Sequence, residues 1–174
     1  MLSLKTKNNI ILRGYTLIEL LMVIAITSIV STVIINSFST SRIKGDLDAA
    51  GREVVTIMRQ AQNDALTGRQ YIANKQPCRF QVSWDTSTYT NTFWYLDASG
   101  VCNTSSVIKS YTLKNNTVFS STDNLYFTPP HGTAFFTNAA AASSATEITK
   151  EGSSQVVCVY ATGLINSYVG STCP

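Results

Sequence analysis

Glu19 is the only charged residue in LIELLMVIAITSIVSTVII, the nineteen residues from Leu17 to Ile35, and twelve of its companions there are Leu, Ile or Val. A carboxylate in such a run has one chemical use: it can hold a cation where the dielectric is low, because a lone charge in that setting goes uncompensated. The other side chains with reactive chemistry are Cys78, Cys102, Cys158 and Cys173 and the single histidine, His131. None of the cysteines forms a CxxC pair, and His131 sits in a Pro-Gly turn, so the spacing does not fit zinc. Beyond residue 68 the acids are Asp85, Asp97, Asp123, Glu147 and Glu151, with no cluster among them in sequence. There is no glycine-rich phosphate loop and no Ser-His-Asp pattern, so the expectation is a protein that is not an enzyme, with no cofactor and no metal.

The segment that carries Glu19 reads as a membrane helix. Its twelve aliphatic residues contribute roughly −4 to −7 kcal/mol on an insertion scale, against at most about +3 for a central carboxylate. Lys5, Lys7 and Arg13 precede it without an acid, whereas Arg42 and Lys44 behind it are matched by Asp46 and Asp48. That bias points to an inside amino terminus, with the remainder of the chain outside the cytoplasm. The three leading cations also account for the formal net charge of +3, since residues 15–174 hold ten basic and ten acidic side chains. A nucleic-acid footprint is therefore missing. The stretch STSRIKGD after the run is no A-x-A cleavage site, so a processing cut is expected before the run, between Gly14 and Tyr15.

Arg13-Gly14 followed by YTLIELLMVIAI resembles the class III signal of type IV prepilins and type II secretion pseudopilins. The resemblance implies that a membrane-embedded aspartyl peptidase, the prepilin peptidase, cuts after Gly14 and methylates the new terminus at Tyr15, where the family more often has Phe. Glu19 then becomes the fifth residue. It is four residues from the Tyr15 amine, within reach along one helix, and in a filament the family reading pairs it with the amine of a neighbouring subunit. The resemblance places the chain in the bacterial inner membrane, single-pass with its head in the periplasm, and then in a pilus on the cell surface. Its implied partners are the peptidase, other minor pilins and the major pilin through the amino-terminal helix.

Positioning such a segment needs a long helix. Ile43, Leu47, Ala50, Val54, Ile57, Ala61 and Ala65 recur every three or four residues, while Arg42, Asp46, Glu53, Arg59 and Asp64 are expected on other faces. Gly68 is placed as the carboxy-terminal cap. A continuous helix from Tyr15 to Thr67 would be roughly 80 Å long. Many pilins have proline at the twenty-second mature position, which is Asn36 here. Gly45 and Gly51 are weak points, each worth about 1 kcal/mol of helix propensity relative to alanine. The expected organisation is a leader (1–14), a transmembrane and filament-core helix (15–38), its amphipathic continuation (39–68) and an extracytoplasmic β-rich head (69–174).

In the head, RFQVSW, TFWYLDA, VIKSYTL, NLYF, TAFF, VVCVYA and LINSYV read as short strands. Pro129, Pro130 and Gly132 mark one turn and Gly163 another, while Thr137–Ser154 is expected to be a long exposed loop. The fold class expected is α+β: a long helix packed on one or two antiparallel sheets. The order of ALTGRQ, PPHGTAFF and VVCVYATGLINSY most resembles the GspH/FimT/FimU class of minor pilins and pseudopilins. Four cysteines allow three disulfide connectivities. Locality favours Cys78–Cys102 and Cys158–Cys173, each worth about 3 kcal/mol. Trp84, Trp94 and Tyr95 are read as core rather than as a binding surface.

Three functions follow. The first is a minor pilin at or near a pilus tip that helps to start assembly. The second is a pseudopilin of a type II secretion system. The third is a DNA-uptake pilin, which the carboxy-terminal ATGLINSYVGSTCP argues against because it holds no Lys or Arg.

Overall fold

The structure is a computed structural model that describes residues 16–136 and 143–174. The expected leader with Gly14, the expected mature first residue Tyr15 and the first part of the expected loop (137–142) lie outside the described residues. The chain divides into two compact units, Met1–Thr40 and Ser41–Pro174. One helix, α1 (Leu17–Thr67), contributes to both, and its backbone is helical through Asn36, Gly45 and Gly51. It ends where Gly68 takes a φ of 61°, and the Gly68 amide donates to the Ala65 carbonyl. Glycine adopts that left-handed conformation without the Cβ penalty.

Among the described residues nine strands follow: β1 (Pro77–Asp85), β2 (Thr88–Leu96), β3 (Cys102–Thr112), β4 (Val118–Phe119), β5 (Asp123–Thr128), β6 (Thr133–Phe136), β7 (Ser143–Lys150), β8 (Ser153–Tyr160) and β9 (Ile165–Val169). They form two antiparallel sheets, one of order β3-β2-β1-β5-β6 and one of order β4-β7-β8-β9. Both turn apolar side chains to the second half of α1. Leu47, Ala50, Val54, Ile57, Ala61 and Ala65 share one buried cluster with Phe80, Phe93 and Phe127 of the first sheet and Ile148, Val157 and Ile165 of the second. The architecture is α+β, with the amphipathic part of the helix packed on antiparallel sheets. Val55 and Met58 broaden the buried stripe beyond the residues read from periodicity.

The expected loop Thr137–Ser154 requires correction. Ser143–Lys150 is a strand, and Ser153 already begins the next. Its polar composition conceals an alternation in which Thr146 and Ile148 are buried. Glu151 and Gly152, at φ 46° and 77°, make the two-residue turn that joins Lys150 to Ser153. Positive φ at both positions is the hairpin geometry that matches strand twist. The two-residue strand β4 was also missing from the sequence reading.

Two charged positions differ from the solvent-facing expectation. Asp46 is only 18% exposed, and its carboxylate accepts a hydrogen bond from Lys150 Nζ at 2.6 Å and from Asn115 Nδ2 at 2.8 Å. Asp64 is 2% exposed, accepts a hydrogen bond from the Tyr71 hydroxyl at 2.6 Å and has Arg69 at 3.6 Å. Burial, with the Asp64 carboxylate beside it, pushes the Tyr71 phenol up to about 12. Arg59 donates to the Ile165 carbonyl at 2.7 Å, and Gln62 donates to the Gly163 carbonyl at 2.9 Å. These contacts tie α1 to strands and loops that lie far away in sequence, so helical periodicity alone does not reveal them.

Among the described residues the sheet edges are blunted, as native β-sheets generally arrange. β4 and β6 are short, β9 has Arg59 on its Ile165 carbonyl, and the long edge strand β3 shifts register twice against β2.

Two expected outcomes arise here. The Lys150 hydrogen bond is the main cause that holds the Asp46 carboxyl below the usual aspartate range, with Asn115 adding to it. The bond therefore stabilises the fold fully above the pKa of an unfolded aspartate, about 3.9, and that stabilisation is lost as the pH falls through the lower folded value. Asp46→Asn should lower the melting temperature at pH 7 and narrow the gap to wild type under acid; an equal gap at pH 7 and pH 2 would count against the ion pair. The two helix glycines should respond in opposite directions. A Cβ at Gly45 meets nothing within 4 Å, whereas one at Gly51 would lie 2.7 Å from Nε2 of the buried Gln155. Gly45→Ala should stabilise by up to about 1 kcal/mol and Gly51→Leu should cost about 1–3 kcal/mol, both measured by denaturant titration.

Candidate functional site

The residue types that point to function lie at the start of α1. Thr16 and Glu19 form a reciprocal cap: the Thr16 amide and hydroxyl donate to Glu19 Oε2 at 2.9 and 2.8 Å, and the Glu19 amide donates to Thr16 Oγ1 at 3.4 Å. Sequence reasoning about Glu19 looked only for a cation and missed this box. Its signal was present as T-x-x-E at the head of an apolar run. Both bonds go to Oε2, and among the described residues no donor reaches Oε1. The cap thus orients the carboxylate while one oxygen remains available.

Behind the cap, Thr27 and Ser28 donate their hydroxyls to the Ile24 carbonyl at 3.0 and 2.7 Å, Ser31 to Thr27 at 2.7 Å and Thr32 to Ile29 at 2.7 Å. Each hydroxyl is satisfied inside the helix, so none requires water, a condition an apolar surrounding imposes. The aliphatic side chains are uncovered in the single chain: Leu17 is 77% exposed and Ile29 68%. Among the described residues no helical segment is long and apolar enough to cross a membrane.

Among its described residues the head offers no constellation of comparable kind. Among the described residues no group of three or more His, Cys, Asp or Glu converges as metal ligands. His131 is exposed in the β5–β6 turn. Asp97, in the β2–β3 loop, accepts from the Ser99 hydroxyl at 2.6 Å and from the Ser99 and Val101 amides at 2.8 and 2.9 Å. These bonds, the Ser99 hydroxyl first, lower its carboxyl to about 2. They close a loop. Cys78 is joined to Cys102 and Cys158 to Cys173, so no thiol is free among the described residues. The aromatic trio does not act together. Trp84 is 2% exposed in the core, and Tyr95 stacks on the buried Phe93 with ring centroids 5.5 Å apart. Trp94 departs from the core expectation: strand alternation turns it to the outer face, where the Arg79 guanidinium lies 3.8 Å from its ring centre.

Residues 13–35 match the family model described as the prokaryotic N-terminal methylation motif. Comparison with curated proteins and with solved structures gives no match. The matched residues span the Gly14–Tyr15 junction, the Thr16–Glu19 cap and the apolar run. The chain carries, at its amino terminus, the processing and methylation signal of type IV pilins and pseudopilins in general.

Proposed function

We propose that the chain is a minor pilin, a non-catalytic structural subunit at or near the tip of a type IV pilus that helps to initiate assembly. In this reading prepilin peptidase cuts after Gly14 and methylates Tyr15. The protein waits in the inner membrane with its head in the periplasm, then enters the filament through its amino-terminal helix beside other minor pilins and the major pilin. The observation that carries the reading is the methylation motif over residues 13–35 with Glu19 oriented by its Thr16 cap. Removal of the leader gives Tyr15 a cationic amine, and the oxygen of Glu19 that Thr16 leaves free suits the amine of a neighbour. A subunit docked out of register would leave that charge uncompensated in an apolar core, which makes the pair a check on axial position. A pseudopilin of a type II secretion system shares the same signal and is the second reading; adjacent minor-pilin or secretion-operon genes would separate them. The acid–base balance beyond residue 14 gives a DNA-uptake role no electrostatic support.

The test uses two variants because Glu19 has two roles. Glu19→Val removes the charge and the cap; Glu19→Gln removes the charge and retains a side-chain acceptor for Thr16. Both should insert in the membrane, and both should enter filaments about tenfold less or worse, the effect of leaving a buried amine unpaired. Normal incorporation of Glu19→Gln would exclude the register role. An intact 174-residue chain found uncut in cells with normal filaments would exclude processing altogether.

A further inference from the structure

On the outer face of the five-stranded sheet, Trp94, Arg79, Tyr126 and Phe135 stand side by side in strand order β2, β1, β5, β6. Arg79 is opposite Trp94, Gln81 is opposite Tyr126, and Tyr126 is opposite Phe135. The Arg79 guanidinium lies 3.8 Å from the Trp94 ring centre and 5.4 Å from that of Tyr126. Tyr126 stacks on Phe135 at 5.3 Å with 9° between planes. Arg79 makes no ion pair among the described residues, and its Nε and the Trp94 Nε1 are buried atoms with no acceptor. Phe135 is 42% exposed, and Val107, in the same cross-strand register on β3, is 59% exposed. A cation held between rings, with no ion-pair partner among the described residues, is set to receive a carboxylate by paired hydrogen bonds.

We propose that this face docks a protein segment that presents an Asp or Glu to Arg79, flanked by apolar side chains that cover Phe135 and Val107. The combination of Trp, Tyr, Phe and Arg without neighbouring acids is that of an interface centre. The charge complement fixes the partner's chemistry: the ladder of Trp94, Arg79, Tyr126 and Phe135 supplies a cation and no anion, so its occupant supplies the anion. A carbohydrate fits less well, because sugars stack on open ring faces and here the rings stack on one another. A nucleic acid would require several cations, and this ladder has one. The surface belongs to the head and does not rest on how the amino terminus is processed.

Photo-cross-linking in cells that make the full chain tests it, with p-benzoylphenylalanine in place of Phe135. One protein adduct is expected, with the linked segment containing an Asp or Glu beside the point of attachment. Arg79→Gln should reduce the adduct about tenfold, as expected for loss of one charge-assisted contact. Because Arg79 also supports the sheet, Val107→Glu serves as a second variant that adds a repelling carboxylate at an exposed site and should reduce the adduct as strongly. Arg79→Glu combined with the partner's acid changed to Arg should restore it. The proposal is overturned by absence of an adduct, by an attached segment without an acid, by adduct yield indifferent to both variants, or by a glycan ligand whose binding Arg79→Gln abolishes.

Discussion

Phe93→Ala will destabilise the head by about 3–5 kcal/mol, whereas Trp94→Ala, one residue along and larger, will cost only about 1–2 kcal/mol. Phe93 is fully buried, and its ring centre lies 5.6 Å from Phe80, 5.8 Å from Tyr71 and 5.5 Å from Tyr95. Truncation there opens a cavity between the helix and the sheet that rigid neighbours cannot refill. Trp94 faces outward, where solvent replaces part of what is removed, and its main loss is the stacked Arg79. Denaturant titration of the two variants measures the difference directly. A larger loss for Trp94→Ala would mean that the strand register puts the wrong parity inside.

Removal of Cys158–Cys173 will lower stability by about 3 kcal/mol in the chain-entropy picture for a loop of this length, and removal of Cys78–Cys102 by a similar amount. The separations are 15 and 24 residues. The two bridges do different structural work. Cys158 is fully buried in β8, and its bond holds a tail whose last residue accepts a hydrogen bond from Tyr160 at 3.2 Å. Cys78–Cys102 links the start of β1 to the start of the edge strand β3. Stability of a domain this size is commonly about 5–15 kcal/mol, so loss of both bridges consumes a large share of it. Cys→Ala variants at each bridge, melted with and without reductant, check this. Wild-type protein whose melt is unmoved by reductant, with thiols shown to be reduced, would contradict it.

The strands that contain aromatic or β-branched runs are legible because alternation is local. β7 is less so: Ser, Thr and Glu dominate it, and only Thr146 and Ile148 reach the interior. The turn at Glu151-Gly152 was the available signal, since a two-residue segment ending in Gly between alternating runs implies a hairpin. The Thr16–Glu19 cap is likewise written in four consecutive residues, as T-x-x-E at the head of an apolar run.

By itself the sequence determined the amino-terminal signal, because every part of it is contiguous: Arg13-Gly14, the carboxylate five residues later, the apolar run and the helical period that continues to Ala65. Spacing along one helix is enough to specify such a signal. Only the tertiary structure decided that Asp46 meets Lys150 and Asn115, that Arg59 meets Ile165, and that Arg79 lies between Trp94 and Tyr126. Each depends on which strands pair and in which register, and a shift of one residue reverses the face of every side chain along a strand. Such partners are set by the packing of the whole core, so no window of neighbouring residues contains them.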